Sequence, residues 1–210
     1  MTLKKHISTL ALVSILGLTL ASPGFSQTTT DTDGDGVPDT SEVLLGTDPM
    51  VADTDGDEQN DLADADPAFM ANPIDMTGAP ATFAIKEALV ENNYDFAAKK
   101  DATDHLELLV TNSGSAPLTG FSIYYSITDA DTGKVEGTFR KLDGFSIPAG
   151  GEARVHFDDG AVAGHFRANP NSIYISSQAA KTVKVVLKAD GFAPVSVDVA
   201  KDKGGAEAAD

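Results

Sequence analysis

The chain has 210 residues and a formal net charge of −17, from 32 acidic against 15 basic side chains. A surface this acidic repels nucleic acid and anionic lipid and attracts cations. The absence of cysteine excludes disulfide staples, thiolate chemistry and a cysteine-borne lipid anchor. The length suits one domain of ordinary size plus a smaller module.

Residues 1–26, MTLKKHISTLALVSILGLTLASPGFS, have a short basic start (Lys4, Lys5), an apolar run from Ile7 to Leu20, and small residues Gly24 and Ser26 before Gln27. That is the layout of a cleaved secretory signal. The apolar run is interrupted by Ser8, Thr9 and Ser14 and is shorter than the ~20 residues a bilayer-spanning helix needs. The expectation is a secreted protein, extracellular or at the cell surface, with a periplasmic location left open and no membrane span after cleavage.

After a polar lead-in, residues 31–67 hold 13 of the 32 acids and no Lys or Arg. This zone is an internal repeat: DTDGDGVPDTSE at 31 is echoed 22 positions later by DTDGDEQNDLAD at 53. Counting from Asp31, positions 1, 3, 5, 9 and 12 are Asp31, Asp33, Asp35, Asp39 and Glu42, with Gly36 at position 6 and Val37 at position 7. A calcium loop asks for these residue types at these places. Alternating aspartates wrap a hard cation that takes six to eight oxygens, glycine makes the sharp turn, residue 7 offers its carbonyl and the last carboxylate closes the shell. The second copy offers Asp53, Asp55, Asp57, Asp61 and Asp64, with Gln59 as carbonyl donor. Two departures weaken it: Glu58 stands where glycine belongs, and position 12 is the shorter Asp. With no His or Cys in either loop, zinc, copper and iron are disfavoured, and magnesium prefers to keep its waters, so Ca²⁺ is the expected ion.

The stretch DTDGDGVPDTSEVLLGTDPMVADTDGDEQNDLADADP resembles the calcium-binding thrombospondin type 3 repeats, EF-hand-like modules of bacterial surface and secreted proteins. The resemblance assigns residues 27–67 to such a module and implies that calcium orders it. Residues 68–80, AFMANPIDMTGAP, read as a linker.

From 81 to 201 the pattern alternates. Leu106, Leu108 and Val110 share one strand face, as do Phe121, Ile123, Tyr125 and Ile127, then Val155 and Phe157, Ile173 and Ile175, Val183, Val185 and Leu187, and Val195, Val197 and Val199. Turn-forming stretches such as NSGSAP, DADTGK, PAGG, ANPN and ADGF separate them. ATFAIKEALV supplies a first strand, although FAIKEALVENNYDF has helical propensity, and KVEGTFRKL supplies another. Seven or eight short strands in ~120 residues point to an immunoglobulin-like antiparallel β-sandwich, a mainly β fold preceded by the calcium-loop module. LELLVTNSGSAPLTGFSIYYSITD is similar to strands of the immunoglobulin-like, cell-adhesion-related domains of bacteria. Residues 202–210 read as a flexible tail.

Other groups carry less. Arg154, His156 and Asp158 alternate on the face opposite Val155 and Phe157, as on a solvated strand, with Asp159 and His165 nearby. Tyr124, Tyr125 and Tyr174 are candidates for a sugar-stacking platform. No motif for a nucleophile or a zinc protease occurs. The reading is therefore a secreted, calcium-binding, non-enzymatic protein of structural, adhesion or assembly role, whose partner is another cell-surface protein or a glycan. Two alternatives stand beside it: a carbohydrate-binding accessory module of a polysaccharide-degrading system, and a secreted hydrolase with an acidic pair.

Overall fold

The computed structural model describes residues 29–90, 94–95, 100–101 and 106–203. The signal read over 1–26 and the part of the tail beyond 203 lie outside the described residues. The elements in chain order are helix α1 (Asp39–Leu45), strands β1 (Phe83–Leu89), β2 (Tyr94–Asp95), β3 (Lys100–Asp101), β4 (Leu106–Asn112), β5 (Phe121–Asp129), β6 (Val135–Lys141), β7 (Glu152–Asp158) and β8 (His165–Arg167), helix α2 (Ile173–Ser176), and strands β9 (Lys181–Ala189) and β10 (Val195–Lys201).

The protein is mainly β, as its alternation predicts. Two four-stranded sheets, ordered β1-β4-β7-β8 and β10-β9-β5-β6, enclose the core, and β2 pairs with β3 as a separate ribbon. Pairing is antiparallel except between β7 and β8, which run parallel. The alternating residues explain the closure: Leu108 and Val110 of β4 and Val155 and Phe157 of β7 meet Ile123 and Tyr125 of β5 and Val185 and Leu187 of β9 in one apolar cluster. ATFAIKEALV, ambiguous by propensity, is a strand because β4 pairs with it from Phe83↔Asn112 to Leu89↔Glu107.

One element departs from the sequence reading. Ile173 and Ile175, expected on a strand, lie in the short helix α2. Ser172, extended at ψ 152°, accepts a hydrogen bond from the Tyr174 amide and so caps the helix. The turn brings Ile173 and Tyr174 into the core and leaves Ile175 outside. Over four residues the two-residue period does not separate a strand from one helical turn.

Residues 68–80 do not stand off as a spacer. Met70 N donates to Gly137 O and Gly137 N to Ala68 O, at 3.1 Å each, on β6. The Tyr124 hydroxyl on β5 donates to Met70 O at 3.0 Å, and Lys188 Nζ on β9 donates to Asp75 O and Thr77 O at 2.7 and 3.1 Å. Ala79 bridges Phe192 beyond β9. The segment thus crosses the outer face of the β10-β9-β5-β6 sheet, which is why Tyr124, out of phase with the core, is nonetheless buried. At Gly137 the approach is too close for a side chain: a Cβ would lie 2.6 Å from both Met70 O and the Tyr124 hydroxyl.

Candidate metal centre

The two acidic repeats fold as two small loops wound by their own carboxylates. In the first, Asp31 Oδ1 accepts from Gly34 N at 2.9 Å and Oδ2 from Gly36 N at 3.2 Å. Asp33 Oδ1 accepts from Asp35 N, and Asp35 Oδ1 from Val37 N at 2.6 Å. The second repeats the scheme: Asp53 accepts from Gly56, Asp57 and Glu58, and Asp55 from Asp57. Carboxylate oxygens of Asp31, Asp33 and Asp35 lie within 4.8 Å of one another, as do those of Asp53, Asp55 and Asp57. Carboxylates this close repel one another unless a cation, water or a retained proton relieves the charge.

Water does not reach all of them. Asp33 Oδ2, Asp35 Oδ2, Glu42 Oε2 and Asp55 Oδ2 are buried and have no hydrogen-bond partner. Glu42 is 0% and Asp55 1% exposed. Helix α1 presents Glu42 to the first loop, ending at Gly46 in the left-handed region with φ 82°. Burial pushes the Glu42 carboxyl up to about 7, and the charges of Asp33, Asp35 and Asp61 add to the rise. Asp55 is likewise pushed up to about 7, first by burial and then by Asp57, Asp64 and Asp53. Burial also raises Asp33 and Asp61. An oxygen-only donor set with buried, unpaired carboxylates and no Lys or Arg within 31–67 fits a hard divalent cation.

The structure sorts the ligand candidates. Asp31, Asp33, Asp35 and Glu42 converge in the first loop, and Asp53, Asp55, Asp57 and Asp64 share the second. Asp39 and Asp61, at position 9, have a further set of contacts. Asp39 Oδ1 accepts from Thr32 N at 2.8 Å and Oδ2 from Thr32 Oγ1 at 2.7 Å; Asp61 does the same with Thr54 at the same distances. These pairs are clasps that hold each loop shut. The signal for them is the Thr at position 2 that both copies repeat. Val37 is buried, while Gln59 is exposed and turns its amide onto Asp57 Oδ2 at 2.7 Å. The second loop keeps its turn without glycine: Glu58 takes φ 75°, the one positive φ among described non-glycine residues.

Sequence reasoning also missed how the loops are held from outside. Arg167 grips buried Asp48 with Nε and Nη2, each at 2.7 Å. Asn169 Nδ2 donates to Gly46 O at 2.6 Å and Asn171 Nδ2 to Thr47 O at 2.7 Å. Phe139 N donates to Asp55 O at 2.8 Å, and Arg140 Nη2 to Thr54 O at 3.3 Å. ANPN, read only as a turn, supplies two of these partners.

The remaining candidates resolve differently. Tyr124, Tyr125 and Tyr174 are all buried, so they form no exposed stacking platform. His156 and His165 stack with centroids 4.4 Å apart and an interplanar angle of 7°. His165 Nδ1 meets Asp158, and His156 Nδ1 lies 3.4 Å from Glu107. Among the described residues no helix is long and apolar enough to cross a membrane.

No protein-family model and no curated protein matches the sequence. Among solved structures, the chain is similar to the protein described as ApaA from Bordetella pertussis, at 13% identity and TM-score 0.35 over 60% of this chain and 98% of that one. It is also similar to the Northeast Structural Genomics Consortium target SoR45, at 10% identity and TM-score 0.34 over 62% of this chain and 94% of that one. A third is the Pseudomonas fluorescens alkylpurine DNA glycosylase AlkC bound to DNA, at 17% identity and TM-score 0.28 over 58% of this chain and 31% of that one.

Proposed function

We propose that this protein is a secreted, non-catalytic calcium-binding protein, in which a thrombospondin type 3-like module binds Ca²⁺ through its two loops and is carried on an immunoglobulin-like sandwich of adhesion or assembly role. One observation carries the metal reading: carboxylate oxygens of Asp33, Asp35, Glu42 and Asp55 are buried without a hydrogen bond or a basic neighbour in their own segment. A buried, unpaired charge is strongly unfavourable, and a divalent cation within reach of several such oxygens removes the penalty. The ligand set supported best is Asp31, Asp33, Asp35 and Glu42 with the Val37 carbonyl in the first loop, and Asp53, Asp55, Asp57 and Asp64 with the Gln59 carbonyl in the second. Calcium is favoured over magnesium because each loop offers four carboxylates, whereas magnesium keeps several waters and takes one or two.

The strand orders support the immunoglobulin-like reading. β1-β4-β7 facing β10-β9-β5 follows the A-B-E and G-F-C pairing of that fold, with β6 as an added edge strand. A non-catalytic role is supported by the position of the two carboxyls raised to about 7: both are enclosed by their own loops, where a substrate does not reach them. Isothermal titration of the purified, chelator-treated protein with calcium, and separately with magnesium, tests the proposal. Uptake of one or two Ca²⁺ that Asp33→Asn and Glu42→Gln abolish at the first site is the expected result; no heat of binding in the wild type removes the metal reading.

A further inference from the structure

We infer that the sandwich is itself part of the calcium centre: Asn171 and Arg167 are positioning residues that set the geometry of the loops although neither is a ligand. The inference rests on the calcium reading above. Glu42, the carboxylate that closes the first loop, sits in the middle of a seven-residue helix, too short to hold its place unaided. The sandwich fixes the chain just beyond that helix. Thr47 Oγ1 donates to Glu42 Oε1 at 3.4 Å, and Thr47 N to Glu42 O at 3.1 Å. The carbonyl of that same Thr47 is held by Asn171 Nδ2 at 2.7 Å. Asn171, Thr47 and Glu42 therefore form a relay from the loop before α2 to a buried ligand.

A second relay reaches the other loop. Arg167 holds the Asp48 carboxylate bidentately, Asp48 N donates to Thr54 Oγ1 at 2.9 Å, and Thr54 Oγ1 donates to Asp61 Oδ2 at 2.7 Å. Thr54 is the clasp of the second loop and directly precedes Asp55, whose carbonyl is paired with β6. Each loop thus has one end anchored in the other structural unit. Partners of this kind, which orient ligands without touching the metal, change metal affinity when they are removed. By linkage, what strengthens the loops' grip on calcium also strengthens their grip on the sandwich.

The test is calcium titration of the full chain, wild type against Asn171→Ala, Arg167→Gln and Lys188→Ala, with melting followed in calcium and in chelator. Lys188 is the control, since it anchors residues 75–77 to β9 but touches neither relay. Asn171→Ala and Arg167→Gln are expected to weaken calcium binding ~10-fold or more at unchanged stoichiometry. Lys188→Ala should leave the affinity at the wild-type value, even where it lowers the melting temperature. A merely structural role moves melting equally in calcium and in chelator, whereas positioning shrinks the calcium-dependent increment. Asn171→Ala leaves no buried charge unpaired, so it carries the test if Arg167→Gln does not fold. Wild-type affinity in Asn171→Ala, with the wild type binding calcium, overturns the inference alone; a wild type that takes up no calcium overturns the metal reading on which it rests.

Discussion

At the scale of single residues, the second loop shows how far a fold tolerates a wrong side chain. Glu58 occupies φ 75° where the first loop has Gly36 at φ 101°, and the left-handed conformation disfavours a residue with a Cβ by ~1–2 kcal/mol. Glu58→Gly should therefore raise stability by about 1 kcal/mol or less, the added chain entropy of glycine offsetting part of the relief. A urea midpoint below that of the wild type would contradict it. Gly56 has no such latitude: its φ is 89° and a Cβ would lie 2.2 Å from Phe139 O, a backbone atom. Gly56→Ala should push the second loop off β6, seen as faster amide exchange at Phe139. The raised carboxyls make a prediction about pH. Without calcium, Glu42 and Asp55 hold protons up to about 7 in the folded chain, but ionise near the ordinary carboxylate value when unfolded. The folded state then binds more protons between those values, so calcium-free stability falls as pH rises from ~4.5 towards 7. On the proposed calcium reading the sense reverses, because a bound ion would displace those protons: affinity should rise through pH 7, and titrations in two buffers of different ionisation enthalpy should show proton release.

At the scale of elements, the long strands were legible because nine residues of β5 or β9 give alternation enough repeats to declare itself, and one face is buried throughout. Tyr124 was not legible as buried, since what covers it is residues 68–70, far away in the chain and without periodicity. The gathering of Asp31, Asp33 and Asp35, and of Asp53, Asp55 and Asp57, was legible because the repeat places an aspartate at every second position of a tight loop. The clasp role of Asp39 and Asp61 was not, because aspartate at position 9 serves as readily for a hydroxyl and an amide as for an ion. The partners at Arg167, Asn169 and Asn171 could not be read at all: Asn169 and Asn171 donate to backbone carbonyls and Arg167 to a carboxylate 119 positions away, and neither kind of long-range bond leaves a pattern in the sequence. Helix α2 gives an element-level test. Ser172 Oγ caps it and also donates to buried Glu136 Oε2 at 2.6 Å, so Ser172→Ala removes a cap and leaves a carboxylate short of one partner. A loss of ~2 kcal/mol in chemical unfolding is expected; a change below ~0.5 kcal/mol would show that the cap is dispensable.

At the scale of the whole molecule, the module is bonded to β6 and β8, the edge strands of the two sheets. Edge strands with unpaired backbone invite pairing with other chains, and here Ala68, Met70 and Asp55 occupy the edge of β6. Melting in calcium should accordingly be a single transition, and at calcium ~100 times the dissociation constant one bound ion adds ~2.7 kcal/mol, a rise of ~5–10 °C for a chain of this size. Two separated transitions in calcium would contradict the coupling. The hydrogen bonds that complete the loops join residues 119 to 124 positions apart. Contacts of such sequence separation form late, after the loop-closure entropy of the intervening sheets has been met. If the loops bind calcium as proposed, their site is finished only once the sandwich has closed, so refolding rates should hardly respond to calcium while unfolding slows in proportion to the added stability. In kinetic terms the proposed metal would guard the exit from the native state and have little part in the entry.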